Sequence, residues 1–137
     1  MNHYRKTLQQ YLSHQEQKDC PFCRPETVER AVFSDDFVYV VPNITFYDLW
    51  EMHDVEEHVM IIPKRHVETL KDLTDEEQLA IMHIAADYES QGYCVYARGV
   101  GFSERSVAHQ HTHLIKAANT RARFSLYIKK PYVLIKK

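Results

Sequence analysis

Three histidines alternate with other residues in the segment Ser106-Val107-Ala108-His109-Gln110-His111-Thr112-His113-Leu114-Ile115. Side chains alternate between the two faces of a strand, so a strand over 107–115 places the three imidazoles on one face, about 6.5 Å from one to the next. An imidazole with a pKa near neutrality can attack phosphorus or carry a proton, while its neighbours hydrogen-bond phosphoryl oxygens. The pattern therefore indicates phosphoryl or nucleotidyl transfer.

Two other interpretations of this histidine segment stay open at the level of sequence. The chain contains nine histidines, so some clustering on the polar face of an edge strand can arise by chance. Alternatively, His109 and His111 can share one zinc ion, whereas the outer pair, about 13 Å apart, cannot. Gly99 and Gly101, just upstream, permit a tight loop that brings backbone amides and the Ser106 hydroxyl toward the same phosphate.

A second group with chemical potential is the pair of thiols in Cys20-Pro21-Phe22-Cys23. The two-residue gap suits either two ligands of one zinc ion or a redox pair, and a tetrahedral zinc site requires two further ligands. The chain has three cysteines, and an odd number argues against a disulfide framework. Cys94 lies in an apolar run and is predicted to be buried.

Length and composition predict one ordinary globular domain of 137 residues, with 45% hydrophobic and 26% charged residues. Apolar runs stop at five residues, far short of the roughly 20 needed to span a bilayer, and the start of the chain has no apolar stretch typical of a signal peptide. We therefore expect a cytoplasmic protein without a membrane association.

Charge is divided unevenly along the chain. All 19 acidic residues precede residue 105, whereas the last 33 residues carry eight Lys or Arg and no acidic residue. These basic residues alternate with apolar ones, so they predict folded strands. The positive potential of these strands is expected to attract an anionic ligand, and a nucleic-acid partner is not favoured.

The hydrophobic pattern predicts an α+β domain with antiparallel strands and two main helices. An amphipathic helix is expected over Met1–Gln17, and the capping box Thr74-Asp75-Glu76-Glu77 predicts a second helix that continues to about Ser90. The connection 43–57 has no clear assignment. Strands are predicted at 29–33 and 37–41 around the turn Ser34-Asp35-Asp36, and at 58–62, 93–98, 107–115, 123–129 and 132–135.

Two motifs in this order and spacing resemble the histidine-triad (HIT) family of nucleotide hydrolases and transferases. They are "SVAHQHTHLI" and, upstream of the predicted helix, "EHVMIIPKRHVETLKDLT", and the resemblance covers roughly residues 20 to 116. It implies a single HIT-like domain over 1–137, with an antiparallel sheet of about five strands and a main helix. An added N-terminal helix over 1–18 and basic strands over 117–137 complete the domain, and a homodimer is expected.

The resemblance also implies roles for the residues around the triad. His111 corresponds to the histidine that forms a covalent nucleotidyl intermediate, His113 to one that holds the phosphate, and Ser106 to a hydrogen-bond donor to the phosphate or leaving group. Family members often carry Gly-Gln before this serine, where this chain has Glu104-Arg105. Arg105 can replace the amide with a cationic donor to phosphate.

One branch of the family binds zinc. In that branch, two such cysteines bind the ion together with a histidine of the "PKRH" segment and the first triad histidine. Carried over, this implies a structural zinc ion bound by Cys20, Cys23, His66 and His109, which leaves His111 available for chemistry. His58 is a weaker alternative for the fourth ligand.

For the nucleoside, the family places an acidic residue after the second strand against the ribose. Asn43 occupies that region here, and Asp48 takes the role if the long connection folds back, while Gly101 lies in the loop expected beside the phosphate. Nearby aromatic residues either stack on a base or cover the small core or a dimer interface. These aromatic residues are Phe46, Tyr47 and Trp50.

The function expected from the sequence is therefore that of a nucleotide hydrolase or nucleotidyl transferase. It acts at the α-phosphate of a nucleoside monophosphate ester, amidate or dinucleoside polyphosphate. The alternatives are a hydrolase with a catalytic zinc ion on His109 and His111, and a nucleotide-binding or interaction module without turnover.

Overall fold

The computed structural model describes residues 20–45, 47–121, 125–129 and 132–136. The predicted helix over 1–17 lies outside the described residues. The order of elements is α1 (Pro25–Glu29), β1 (Phe33–Ser34), β2 (Val38–Pro42), β3 (Leu49–Trp50), β4 (His53–Pro63), a 3-10 helix (Leu70–Asp72), α2 (Asp75–Ser90), β5 (Cys94–Ala97), β6 (Thr112–Arg121), β7 (Ser125–Lys129) and β8 (Tyr132–Lys136).

Six of these strands form one antiparallel sheet in the order β1-β2-β4-β6-β5, with β3 paired to the start of β4. The strands β7 and β8 form a separate antiparallel pair. The expected α+β fold with an antiparallel sheet and a main helix is thus confirmed. Among the described helices, none has both the length and the apolar character needed to cross a lipid bilayer.

The central strand β4 is buried from His58 to Pro63, because both faces of the sheet are covered there. On one face α2 packs over a cluster that includes Val40, Ile61 and Leu114. On the other face the Cys20–Phe22 segment covers Tyr39, Met60 and Ile62. A strand covered on both faces reads as a continuous apolar run rather than an alternation.

Local sequence determines where the hairpin and the main helix begin. The Asp35 carboxylate accepts hydrogen bonds from the backbone of Phe37 at 2.8 Å and of Val38 at 2.7 Å, which forms the turn between β1 and β2. At the start of α2, Thr74 Oγ1 accepts from the Glu77 N–H at 3.3 Å and the Glu77 carboxylate accepts from the Thr74 N–H at 2.8 Å. The predicted capping box is confirmed.

The strand predicted over 107–115 begins only at Thr112. The Gln110 N–H donates to the carbonyl of Val67 at 2.7 Å, so this stretch of backbone is held by the segment after β4 and not by a strand ladder. The prediction that one strand carries all three histidines was therefore wrong for His109 and His111. His109 and His111 lie instead in an irregular segment that is hydrogen-bonded to Val67 and leads into β6.

Two further expectations need correction. Cys94 was predicted to be buried, but it is exposed, because among the described strands β5 lies at the edge of the sheet and pairs with β6 alone. The strand predicted over 29–33 is reduced to the two residues of β1, because Pro25 starts the short helix α1, which continues to Glu29.

Candidate metal centre and active site

The four residues Cys20, Cys23, His66 and His109 lie together, with one possible ligand atom from each within 4.8 Å of the others. The Nδ1 atom of His109 is 3.5 Å from Sγ of Cys20 and 3.4 Å from Sγ of Cys23, and Nδ1 of His66 is 3.2 Å from Sγ of Cys23. Sulfur and nitrogen ligands of one tetrahedral zinc ion lie about 3.6 Å apart, given the usual bond lengths. The cluster is therefore close enough to hold a metal ion.

Each part of this cluster comes from a different place in the chain. The Cys23 N–H donates to the Cys20 carbonyl at 3.1 Å, and this tight turn points both thiols toward the histidines. His109 is 1% exposed, and its Nε2–H donates to the Pro63 carbonyl at 2.9 Å. This bond assigns the proton to Nε2 and leaves the Nδ1 lone pair directed at the sulfurs, as metal-binding histidines require.

Protonation in the cluster follows from burial. Burial lowers the pKa of His109 to about 4, so this imidazole is neutral at physiological pH and can act as a ligand. Burial, followed by the neighbouring thiol of Cys20, raises the pKa of Cys23 to about 11. The Cys23 thiol resists ionisation in this environment, and a bound divalent cation is the partner that would stabilise its thiolate.

His111 is buried beside the cluster and bonded differently. Its Nδ1–H donates to the carbonyl of His109 at 2.8 Å, which leaves the Nε2 lone pair available as a nucleophile. Burial lowers the pKa of His111 to about 4, and the nearby charges of Arg105 and Arg98 act in the same direction. The imidazole is therefore neutral at physiological pH.

Phe22 connects the cysteine turn to the triad. Its ring lies edge-on to His111, with centroids 5.0 Å apart, and its centroid is 6.0 Å from that of His109. Phe22 is itself 5% exposed. The turn that carries the two thiols therefore also packs against the side of the His111 ring.

His113 pairs with a fourth histidine, His58, whose Nε2 lies 2.9 Å from His113 Nδ1. The ring of Tyr96 stacks on His113, with centroids 4.5 Å apart and an interplanar angle of 9°. The centroids of His111 and His113 are 4.9 Å apart. His58 had been considered as a metal ligand, but it belongs to this histidine pair.

A model of a known protein family matches this chain. The model of the HIT domain matches residues 29–120, more than half of the chain. The chain belongs to the HIT family.

Two solved structures have the same fold as this HIT domain. A histidine triad protein from Clostridium difficile matches with a TM-score of 0.55 and 23% identity, over 81% of this chain and 100% of that chain. A HIT family hydrolase from Clostridium thermocellum matches with a TM-score of 0.55 and 19% identity, over 76% of this chain and 95% of that chain.

Asn43 and Asp48, the residues expected from the sequence to contact a ribose, lie near His58 and β4. Asn43 is buried, and its amide nitrogen lies 3.3 Å from Nε2 of His58 while its amide oxygen accepts from the Thr45 N–H at 3.0 Å. Asp48 is half-buried, and its carbonyl accepts from the Val55 N–H at 3.0 Å. Asn43 therefore contacts His58, the histidine that pairs with His113.

The loop before the triad carries the other candidates. Gly101 is exposed and has φ +76, a backbone conformation that favours glycine. Arg105 donates through Nη2 to the carbonyls of Glu68 and, at 2.7 Å, Ala108, which ties the loop to the segment after β4. Ser106 is half-buried and directly precedes Val107 of the apolar cluster.

Aromatic side chains form one wall beside His113. Trp50 stacks on Tyr96 with centroids 4.6 Å apart, and the Tyr96 hydroxyl donates to the Tyr47 hydroxyl at 2.8 Å. Tyr47 is 1% exposed, so it packs inside the site and does not form a mobile cover. Phe46 lies outside the described residues.

Proposed function

We propose that this HIT protein is a nucleotide hydrolase or nucleotidyl transferase that forms a covalent nucleotide intermediate on His111. The observation that carries the proposal is the hydrogen bond from His111 Nδ1–H to the His109 carbonyl. It directs the free lone pair to Nε2, and the lowered pKa keeps that lone pair unprotonated at neutral pH.

The proposed reaction has two displacements at the α-phosphorus. In the first, the Nε2 lone pair forms a P–N bond, and the bond from phosphorus to the leaving group breaks and gives that group its electron pair. The imidazole then carries a positive charge, which the His109 carbonyl stabilises through Nδ1–H. In the second, water or an acceptor hydroxyl attacks phosphorus, releases a proton to solvent and returns His111 to its neutral form.

Neighbouring residues bind the substrate in this proposal. His113, aligned by His58, donates a hydrogen bond to a phosphoryl oxygen, and Ser106 donates to the phosphate or the leaving group. Arg105 and the backbone at Gly101 supply further positive potential at the loop. Asn43 and Asp48 are the proposed contacts of the ribose, which fits their position beside β4 and His58.

We assign the metal cluster to a structural zinc ion. When bound, zinc would join the cysteine turn to the segment that carries His109 and would supply cross-linking rather than chemistry. A catalytic zinc ion shared by His109 and His111 fits the geometry less well, because Nδ1 of His109 faces the sulfurs of Cys20 and Cys23. Among the described residues, the cluster of possible metal ligands contains His66 and not His111.

Rapid-quench labelling tests the covalent mechanism. A nucleotide substrate labelled in its α-phosphate should leave acid-labile label on the wild-type protein, and His111→Asn should abolish both label and turnover. His83→Asn serves as the matched control, since His83 is exposed on α2. Full turnover by His111→Asn would overturn the proposal, and tight nucleotide binding without product in the wild type would favour the binding module.

A further inference from the structure

Arg98 follows directly after β5 and is buried beside the histidines, with a side chain 4% exposed. Its Nη2 group donates a hydrogen bond to the Tyr47 hydroxyl. The guanidinium carbon lies 5.6 Å from the centre of the Tyr47 ring and 5.7 Å from the centre of the Phe102 ring. Two aromatic rings therefore contact this buried cation.

The hydrogen-bonding capacity of Arg98 is only partly used. Within the ranges that the structure describes, its Nε and Nη1 atoms are buried without a hydrogen-bond partner. The ion pair of Nη1 with Glu104 reaches only 4.0 Å, and the Glu104 side chain is half exposed, so water screens it. A buried guanidinium with unpaired N–H groups is costly unless an anion binds there.

The two guanidinium groups near the proposed nucleophile carry more positive charge than is needed to balance one phosphate. Arg98 is bonded to Tyr47, whose ring centroid lies 6.1 Å from that of His113, and Arg105 donates at 2.7 Å to the carbonyl of Ala108, the residue before His109. Two guanidinium groups therefore lie next to the histidine segment. An α-phosphate in an ester or anhydride linkage carries a single negative charge. One guanidinium can balance that charge, and the other remains for a second anionic group.

We propose that Arg98 binds a second anionic group of the substrate and thereby selects nucleotides whose leaving group is negatively charged. This proposal rests on the function proposed above and names its substrate class as phosphoanhydrides, as in nucleoside polyphosphates. When the anhydride P–O bond at the α-phosphorus breaks, its electron pair leaves on the oxygen of the β-phosphate. The unused N–H groups of Arg98 stabilise that growing charge. An amine that takes up a proton from solvent as its P–N bond breaks leaves uncharged and gains nothing from them.

The test compares two adenosine substrates on the same enzyme sample. Diadenosine triphosphate has an anionic leaving group, and an adenosine 5′-phosphoramidate of an aromatic amine has an uncharged one, while both release AMP. Arg98→Gln should lower the ratio of kcat/KM for the anhydride to kcat/KM for the amidate by about tenfold or more. The ratio does not depend on the folded fraction, so it stays informative if the variant is less stable.

Two companion variants complete the design. Arg98→Lys, which keeps the charge, should recover part of the ratio, and Arg30→Gln, which removes an exposed guanidinium at the end of α1, should leave the ratio unchanged. An unchanged ratio in Arg98→Gln, including equal losses on both substrates, would overturn the proposal for Arg98. If the wild type forms no covalent adduct with either substrate, the function proposed for His111 fails instead, and this proposal fails with it.

Discussion

The Nε2 atom of His58 lies 2.9 Å from the Nδ1 atom of His113, so one imidazole donates a hydrogen bond to the other between the neighbouring strands β4 and β6. In the tautomer where His58 donates, His113 accepts at Nδ1 and carries its own proton on Nε2. That proton is then available to a phosphoryl oxygen. The contact makes His58 a positioning residue for His113.

Replacing His58 should therefore reduce catalysis more than substrate binding. His58→Leu removes the donor to His113, and we expect kcat to fall by about tenfold or more, the range typical of outer partners of functional histidines, with a smaller change in KM. His58→Gln, which keeps an N–H donor, should restore part of kcat. Steady-state kinetics on both variants checks this, and a loss in KM alone would contradict the positioning role.

Sequence reasoning located the histidines and cysteines because their spacing is local. It gave the wrong backbone for His109 and His111, since alternation cannot distinguish a strand from an irregular segment held by a distant carbonyl such as that of Val67. Arg98 was missed because a lone arginine after a predicted strand carries no pattern, and its significance comes only from burial.

Long-range pairing explains the other differences. The unassigned connection 43–57 contains β3 and the first half of β4, where the pairing with β6 shifts register between His53 and Glu57. Such irregularities depend on the partner strand, far away in sequence. The same pairing brings His58 beside His113, which no local motif could indicate.

Loss of one thiol should weaken metal binding and stability together. We expect the wild type to hold about one zinc ion per chain, and Cys23→Ser to lower both the zinc content and the thermal midpoint by several degrees, because the metal cross-links distant segments. Cys94→Ser is the matched control, since Cys94 is exposed on the edge strand. Zinc analysis beside thermal melts measures both effects.

Chelation separates a structural metal from a catalytic one. If the zinc ion is structural, its removal inactivates the enzyme over the same temperature range in which the protein unfolds. Immediate inactivation of a sample whose melting curve is unchanged would instead support a catalytic metal on His109 and His111.

Phe22 should connect the cysteine turn to the reactivity of His111. Phe22→Leu removes the edge contact with the imidazole, whose centroid is 5.0 Å away, but keeps an apolar side chain of nearly the same size. We expect a stability loss of about 1 kcal/mol, retained zinc content and a fall in kcat of several-fold, because His111 is less well oriented. Unchanged kcat with the same loss of stability would limit Phe22 to packing.

The pair of Arg65 and Glu77 should make stability depend on acid pH. Arg65 donates through Nε and Nη2 to the two carboxylate oxygens of Glu77 at 3.0 and 2.7 Å, and these bonds, with the Thr74 N–H, lower the pKa of Glu77 in the folded state. The stabilisation is therefore complete above the pKa of the unfolded chain, about 4.3, and is lost as pH falls through the lower folded value.

Glu77→Gln tests this dependence, because glutamine preserves the capping box but removes the charge. We expect the variant to be less stable than the wild type by about 0.5–1 kcal/mol at pH 7, a modest amount because Arg65 is half exposed and screened by water. The difference should shrink as pH falls from about 5 toward 3. Urea unfolding at several pH values measures it, and Glu76→Gln, in the same helix turn but exposed, controls for the helix dipole. A difference that grows on acidification would contradict the assigned sign of the shift.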